Sequence, residues 1–247
     1  MTAERLAWPL GWTHEPEEDF FVDRDRQFQR DLNVVRFPGD LSDRFELRRG
    51  DIGANDGQRK PRYERSEKSE LGDRKRRGEE VWYGWSFKVP MDFPEANEVD
   101  STSNQVTLAQ FQQEPPNIAD AKPEDWKPAW MFGKRICGPF CVRLFPTIDK
   151  AQATWWSLIE HDKFRGAWHD IVVHAKWCST SEGVFRIWVN GVMKMAFFGK
   201  NCSAHDGRIY HKYGIYRAHH PSNQTAVAYF SQLRKSTVEA EVRVSVS

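Results

Sequence analysis

Apolar and polar residues alternate along this chain in short runs that end at turn formers, and few segments sustain a helical period. The pattern predicts strands over 32–37 and 44–48, separated by Pro38-Gly39-Asp40. A stronger run spans 81–89, stopped by Pro90 and an acidic stretch over 92–100. Another spans 106–112, followed by a stretch holding Pro115, Pro116, Pro123 and Pro128. Further strands are predicted over 168–177, 184–189, 210–217 and 226–233, and the alternating tail 238–246 reads as a strand with one wet face. Asn190-Gly191, set between Ile187-Trp188-Val189 and Val192-Met193, is the strongest hairpin signal, because both turn positions need positive φ. The chain shows no internal repeat and no break in composition. It therefore reads as one all-β domain over 1–247, an antiparallel sandwich of the jelly-roll kind with long loops and an N-terminal extension over 1–30.

Composition narrows this reading. A chain of 247 residues buries a sizeable core without staples, and 39% hydrophobic against 29% charged residues marks it as globular. Lys and Arg number 36 against 35 Asp and Glu, and a net charge of +1 argues against a general nucleic-acid binder. No apolar run approaches a membrane span. The start, Met1-Thr2-Ala3-Glu4-Arg5-Leu6, lacks the pattern of a secretory signal, so the expectation is a cytoplasmic protein or one already relieved of a leader. Cys137, Cys141, Cys178 and Cys202 have no zinc-like spacing and read as buried thiols, or as disulfides in an exported chain.

The informative excess is aromatic, with 11 Trp, 6 Tyr and 16 Phe. Trp82, Trp85, Trp168, Trp177 and Trp188 fall in predicted strands and suit a core. Trp126, Trp130, Trp155 and Trp156 fall in or beside irregular segments, where they suit either a core or stacking on sugar rings.

Three segments carry candidate chemistry. Between Arg59 and Glu80, nine Lys/Arg mingle with six Asp/Glu. This is either a solvated edge strand protected by charge or the cationic wall of an anion site. As a strand, its first half puts Tyr63, Arg65, Glu67 and Ser69 on one face. In 106–112, Gln110 and Gln112 share a face, with Phe111 on the other, and two amides together offer donors to a carboxylate without adding charge. In 210–217, Tyr210, Lys212, Gly214 and Tyr216 share a face. Gly214 there leaves a gap for a ligand, and a lysine near a tyrosine favours phenolate.

Taken in order, Arg65-Ser66-Glu67, Gln110-Phe111-Gln112 and Lys212-Tyr213-Gly214-Ile215-Tyr216 resemble the three active-site strands of jelly-roll polysaccharide lyases, which carry Arg-x-Glu, Gln-x-His and Lys-x-Gly-x-Tyr in alginate lyases. Arg44-Phe45-Glu46-Leu47-Arg48, Trp82-Tyr83-Gly84-Trp85-Ser86, Trp168-His169-Asp170, Trp188-Val189-Asn190-Gly191 and Gly214-Ile215-Tyr216-Arg217 are similar to landmarks of the heparin lyase I and glucuronan lyase group. The resemblance covers about residues 44–233. It implies cleavage of an acidic, uronic-acid-containing polysaccharide, glucuronan-like, by β-elimination: removal of the C5 proton beside the carboxylate and expulsion of the 4-linked oxygen. Such a site must neutralise the carboxylate and supply a base.

By resemblance, Gln110 and Arg65 bind the carboxylate and stabilise the enolate-like intermediate. Tyr216 is base and acid, Lys212 supports its phenolate, and Glu67 orients Arg65. Gln112, Tyr210, Arg217, His220 and Trp130 are the implied substrate-binding residues. No cofactor is required, although the relatives allow a structural calcium ion, for which Asp92, Glu95, Glu98 and Asp100 are candidates without a defined loop. The partners implied are an acidic polysaccharide and neither nucleic acid nor membrane. The relatives are exported, in contrast to the leaderless start.

Two departures bear on the mechanism. Gln112 stands where alginate lyases carry His and cannot act as a base, so base duty falls to Tyr216 or to His211, His219 or His220, of which His211 lies on the wrong strand face. Lys68-Ser69-Glu70-Leu71 also fits the first motif, and that register would turn Lys68 and Glu70 to the site in place of Arg65. Two rival functions remain: a non-catalytic carbohydrate-binding protein on the same scaffold, and a glycoside hydrolase, which lacks its pair of opposed carboxylates here.

Overall fold

The alternating runs assemble into two antiparallel sheets whose inner faces share one aromatic core. The computed structural model describes residues 28–31, 33–38, 40, 42–48, 51, 62–67, 78–95, 106–115, 119–120, 128–135, 137–145, 154–203, 208–217 and 224–243. In chain order the strands are β1 (Phe28–Asp31), β2 (Ser42–Leu47), β3 (Arg62–Ser66), β4 (Glu80–Lys88), β5 (Val106–Gln113), β6 (Pro128–Lys134) and β7 (Phe140–Leu144). They continue with β8 (Trp155–Ile159), β9 (Trp168–Lys176), β10 (Val184–Val189), β11 (Val192–Phe198), β12 (Ile209–Arg217) and β13 (Ala226–Ser236). One sheet has seven strands in the order β1-β2-β13-β4-β9-β10-β11, and the other has six in the order β3-β12-β5-β6-β7-β8. The described residues contain no α-helix. This is the expected jelly-roll sandwich.

Between the sheets lie Phe45, Tyr83, Trp85, Phe87, Phe111, Phe132, Phe185 and Tyr213, buried in one cluster. Each such side chain contributes roughly 1.5–3 kcal/mol by leaving water. The β10–β11 hairpin turns at Asn190 and Gly191, whose φ values of 50° and 78° are the left-handed pair that this turn requires. Asn190 also explains the Trp168-His169-Asp170 landmark, because its Oδ1 accepts the Asp170 backbone N–H at 2.8 Å. The Asp170 carboxylate in turn accepts from Arg36 and from Ser86 Oγ at 2.7 Å. These landmarks hold the seven-stranded sheet together.

Two predicted strands differ in the structure. Residues 33–37 form bends, because Asp31 Oδ1 accepts the backbone N–H groups of Asn33 and Val34 at 2.6 and 2.9 Å and turns the chain away from β1. The tail makes a 3₁₀ turn at Glu239–Glu241, and Val242 is fully buried over Gly84, where a Cβ would meet the Val242 carbonyl. The Pro-rich stretch that follows 106–112 leads into β6, with Pro128 as its first residue, the position in a strand that tolerates a missing N–H.

Candidate active site

Strands β3, β12 and β5 are neighbours in the six-stranded sheet and bring all three motif segments together. Their registers are explicit: Tyr213 faces Arg65, Gly214 faces Glu64 and Tyr216 faces Arg62 across β12–β3, while Lys212 faces Gln110 across β12–β5. Since His211, Tyr213 and Ile215 are fully buried toward the core, Lys212 and Tyr216 project from the other face. Arg62, Glu64 and Gln110 share that outer face.

Glu64 is the hub. Its Oε2 accepts from Lys212 Nζ at 2.8 Å, its Oε1 accepts from Gln110 Nε2 at 2.6 Å, and Arg62 Nη1 lies 3.6 Å from Oε2. Burial opposes ionisation of Glu64, but Lys212, Arg62 and Gln110 outweigh it and hold the carboxyl below its usual range. Two cations, Arg62 and Lys212, thus converge on one carboxylate, and the Gln110 amide has a second N–H beyond the one given to Glu64. The Arg62 guanidinium sits 5.6 Å from the centre of the half-buried Tyr216 ring. That arrangement sets a cation beside the ring that carries the phenol oxygen.

Several expected residues lie elsewhere. Arg65 is 1% exposed between the sheets, with Nη1 3.4 Å from Asp43 Oδ2, and the same oxygen accepts from Tyr213 Oη at 2.6 Å. Glu67 is also internal: it accepts the His211 backbone N–H at 2.6 Å and the Tyr83 hydroxyl at 3.3 Å, and pairs with Lys235. Arg65 and Glu67 do share a face, but it is the core face, so neither reaches the outer one. Arg62-Tyr63-Glu64-Arg65-Ser66-Glu67 contains two Arg-x-Glu copies of opposite parity, and the structure presents the first. The signal for it was Tyr63, an aromatic in the middle position that belongs in the core and is 4% exposed.

Trp130 is fully buried, stacked on Phe185 at 4.1 Å with its Nε1 donating to the Asn201 carbonyl, so it packs the core instead of stacking on sugar. Arg217 is 1% exposed, on the Ile215 side of β12, and donates to the Gln224 carbonyl. Tyr210 and Gln112 face each other across β12–β5 on the Lys212 side. His211 lies among Tyr83, Trp85 and Phe111, and burial pushes its pKa down to about 3. Lys212 engages Glu64, and Arg62 supplies the cation seen over Tyr216. Gly214 leaves no gap: with φ 137°, a Cβ there would overlap the Tyr63 carbonyl oxygen and come within 2.8 Å of Glu64 Cα. Its role is to let β3 approach. Lys68, Glu70, Trp126, His219 and His220 lie outside the described residues.

The calcium candidates do not make a site among the described residues. Glu95 is bound by Arg165, by Lys134 at 3.4 Å and by the Cys137 backbone N–H at 3.3 Å. Glu98 and Asp100 lie outside the described residues, within which no group of three metal-ligating side chains occurs. The four cysteines are free thiols.

A family model described as polysaccharide lyase matches residues 10–234. No curated protein matches the chain. Among solved structures, an endo-β-1,4-glucuronan lyase from the fungus Trichoderma reesei superposes with a TM-score of 0.70 at 19% identity, covering 95% of each chain. A family 7 alginate lyase, A1-II′, in complex with product gives 0.59 at 15% identity, over 87% of this chain and 84% of that one. An alginate lyase from Klebsiella pneumoniae gives 0.56 at 12% identity, over 79% and 81%. With the family match running through nearly every described strand, and this fold beneath it, the chain belongs to the polysaccharide lyase family.

Proposed function

We propose that the outer face of β3, β12 and β5 cleaves a glucuronan-like polyuronate by β-elimination. The observation that carries this reading is the convergence of Arg62, Gln110 and Lys212 on Glu64, beside Tyr216. The substrate carboxylate draws on the second amide N–H of Gln110 and on the positive charges of Lys212 and Arg62. As the C5 proton leaves, negative charge spreads into that carboxylate, and donors already aimed there stabilise the intermediate. Tyr216 takes the C5 proton as phenolate and then, as phenol, returns a proton to the 4-linked oxygen as that C–O bond breaks. The pair of electrons from the C–H bond becomes the new C4–C5 double bond. Glu64 contacts no reacting atom; it positions Gln110 and Lys212.

Glucuronan is favoured over alginate because the glucuronan lyase superposes over more of the chain and because Gln112 stands where alginate lyases carry His. The test is incubation with glucuronan, alginate and heparin while following ultraviolet absorbance of the unsaturated uronate. The reading predicts a rise, fastest on glucuronan. Reducing ends without absorbance would mean hydrolysis, and binding without either would leave a carbohydrate-binding protein.

A further inference from the structure

The register of the six-stranded sheet continues beyond Gln110. Gln110 faces Met131 on β6, Met131 faces Arg143 on β7, and Arg143 faces Trp155 on β8. Residues directly opposite one another share a face, so Arg143 and Trp155 stand on the same outer face as Lys212 and Gln110. Neighbouring Val142 is fully buried in the core and Trp156 packs against it, which agrees with this assignment.

Arg143 is placed like a ligand-binding cation. Its guanidinium carbon is 4.2 Å from the centre of the Phe145 ring and 5.1 Å from that of Trp155. Its Nε is buried without a hydrogen-bond partner, and no described carboxylate pairs with it. Four other arginines are paired with carboxylates: Arg36 with Asp170, Arg44 with Glu46, Arg165 with Glu95 and Arg243 with Glu239. Partial burial without a counter-ion works against the charge of Arg143 and lowers its pKa. An incoming carboxylate would relieve that cost through two parallel N–H···O bonds.

We propose that Arg143, bracketed by Phe145 and Trp155, binds a second carboxylate of the same polyuronate, on a sugar separate from the one that reacts. This rests on the proposed elimination at Gln110 and Tyr216. Two strand spacings separate Gln110 from Arg143, roughly 10 Å. The guanidinium leans toward Trp155 on the next strand, away from Gln110, so a run of linked uronates lying across the strands, and not a single uronate, spans the two groups. The site therefore selects chains with acid groups on sugars flanking the scissile bond.

The experiment is titration of the Tyr216→Phe protein with a glucuronan hexasaccharide, a disaccharide and the carboxyl-reduced hexasaccharide. Adding Arg143→Gln should weaken hexasaccharide binding about tenfold and leave the disaccharide and the reduced hexasaccharide unchanged. Arg143→Met, which keeps an apolar stem against Phe145 and Trp155, should show the same loss, and Arg143→Lys should recover only part of it. Equal hexasaccharide affinity with and without Arg143, an equal loss for the carboxyl-reduced sugar, or no binding of the hexasaccharide at all would overturn the proposal. Absorbance assays of the unaltered protein report elimination separately. The Arg143 contrast without elimination would remove the lyase reading alone, and elimination without the contrast would remove only the second carboxylate position.

Discussion

Arg62 and Arg65 are three residues apart and face opposite sides of β3, so their substitutions should separate cleanly. Arg62→Gln removes a cation from the outer face and should lower kcat/KM about 10–100-fold with little change in stability. Arg65→Ala removes the buried partner of Asp43 and should cost about 3–5 kcal/mol in denaturant unfolding. Any Arg65→Ala protein that remains folded should keep its turnover. The reverse pattern, with Arg65 needed for turnover and Arg62 dispensable, would assign the site to the other parity. The alternation within this segment was legible from sequence, but the sheet face was not. Its core face carries Arg65 and Glu67, whose charges are met by Asp43 and Lys235 from the opposite sheet, and no local pattern announces partners so distant in the chain.

Strand β12 carries both Lys212 and Tyr216, and Gly214 sets their relation. The β12–β5 register shifts between Tyr213 and Tyr216, where Gly214 has its positive φ and β3 presses against it. Gly214→Ala should therefore destabilise the protein by more than about 1 kcal/mol and lower turnover even where the protein stays folded, because the shift places Tyr216. Denaturant unfolding together with turnover at low temperature checks both effects; an unaltered protein on both counts would contradict the close approach. Strands such as β9 and β10 were legible because their apolar runs are long, and the Asn190-Gly191 hairpin fixes the end of β10. β6 and β7 were not, because Pro128 opens β6 and Gly138-Pro139 lies between the two, so punctuation hid the pattern; β8 is only five residues long. The tail misled in the other direction: its alternation is real, yet Val242 is spent covering Gly84 instead of forming a ladder.

Across the whole molecule, the core mixes aromatic rings with buried ionisable groups, and this gives stability a pH signature. His211 has a folded pKa of about 3 against an ordinary value of 6.5, so between those values the unfolded chain binds the extra proton. Stability from this group is complete above about pH 6.5 and falls by up to about 1.4 kcal/mol per pH unit as pH drops toward 3. Glu67 acts with the opposite sign, because burial raises its pKa despite Lys235 and the folded state then holds the extra proton above the ordinary carboxylate range. The clean measurement is a difference: the pH dependence of unfolding free energy in the unaltered protein minus that in His211→Phe, which should slope upward from pH 3 to 6.5. A flat difference would mean that His211 takes up its proton in the folded protein.

In the proposed elimination Tyr216 moves the proton while its neighbours on the outer face hold the carboxylate. Turnover of Tyr216→Phe at saturating glucuronan, alongside its affinity for the same polymer, tests this most directly. Formation of unsaturated ends should fall by about 10²–10⁴-fold while affinity stays within about twofold, since the ring and the Arg62, Gln110 and Lys212 side chains all remain. Turnover that survives the loss of the hydroxyl would contradict it.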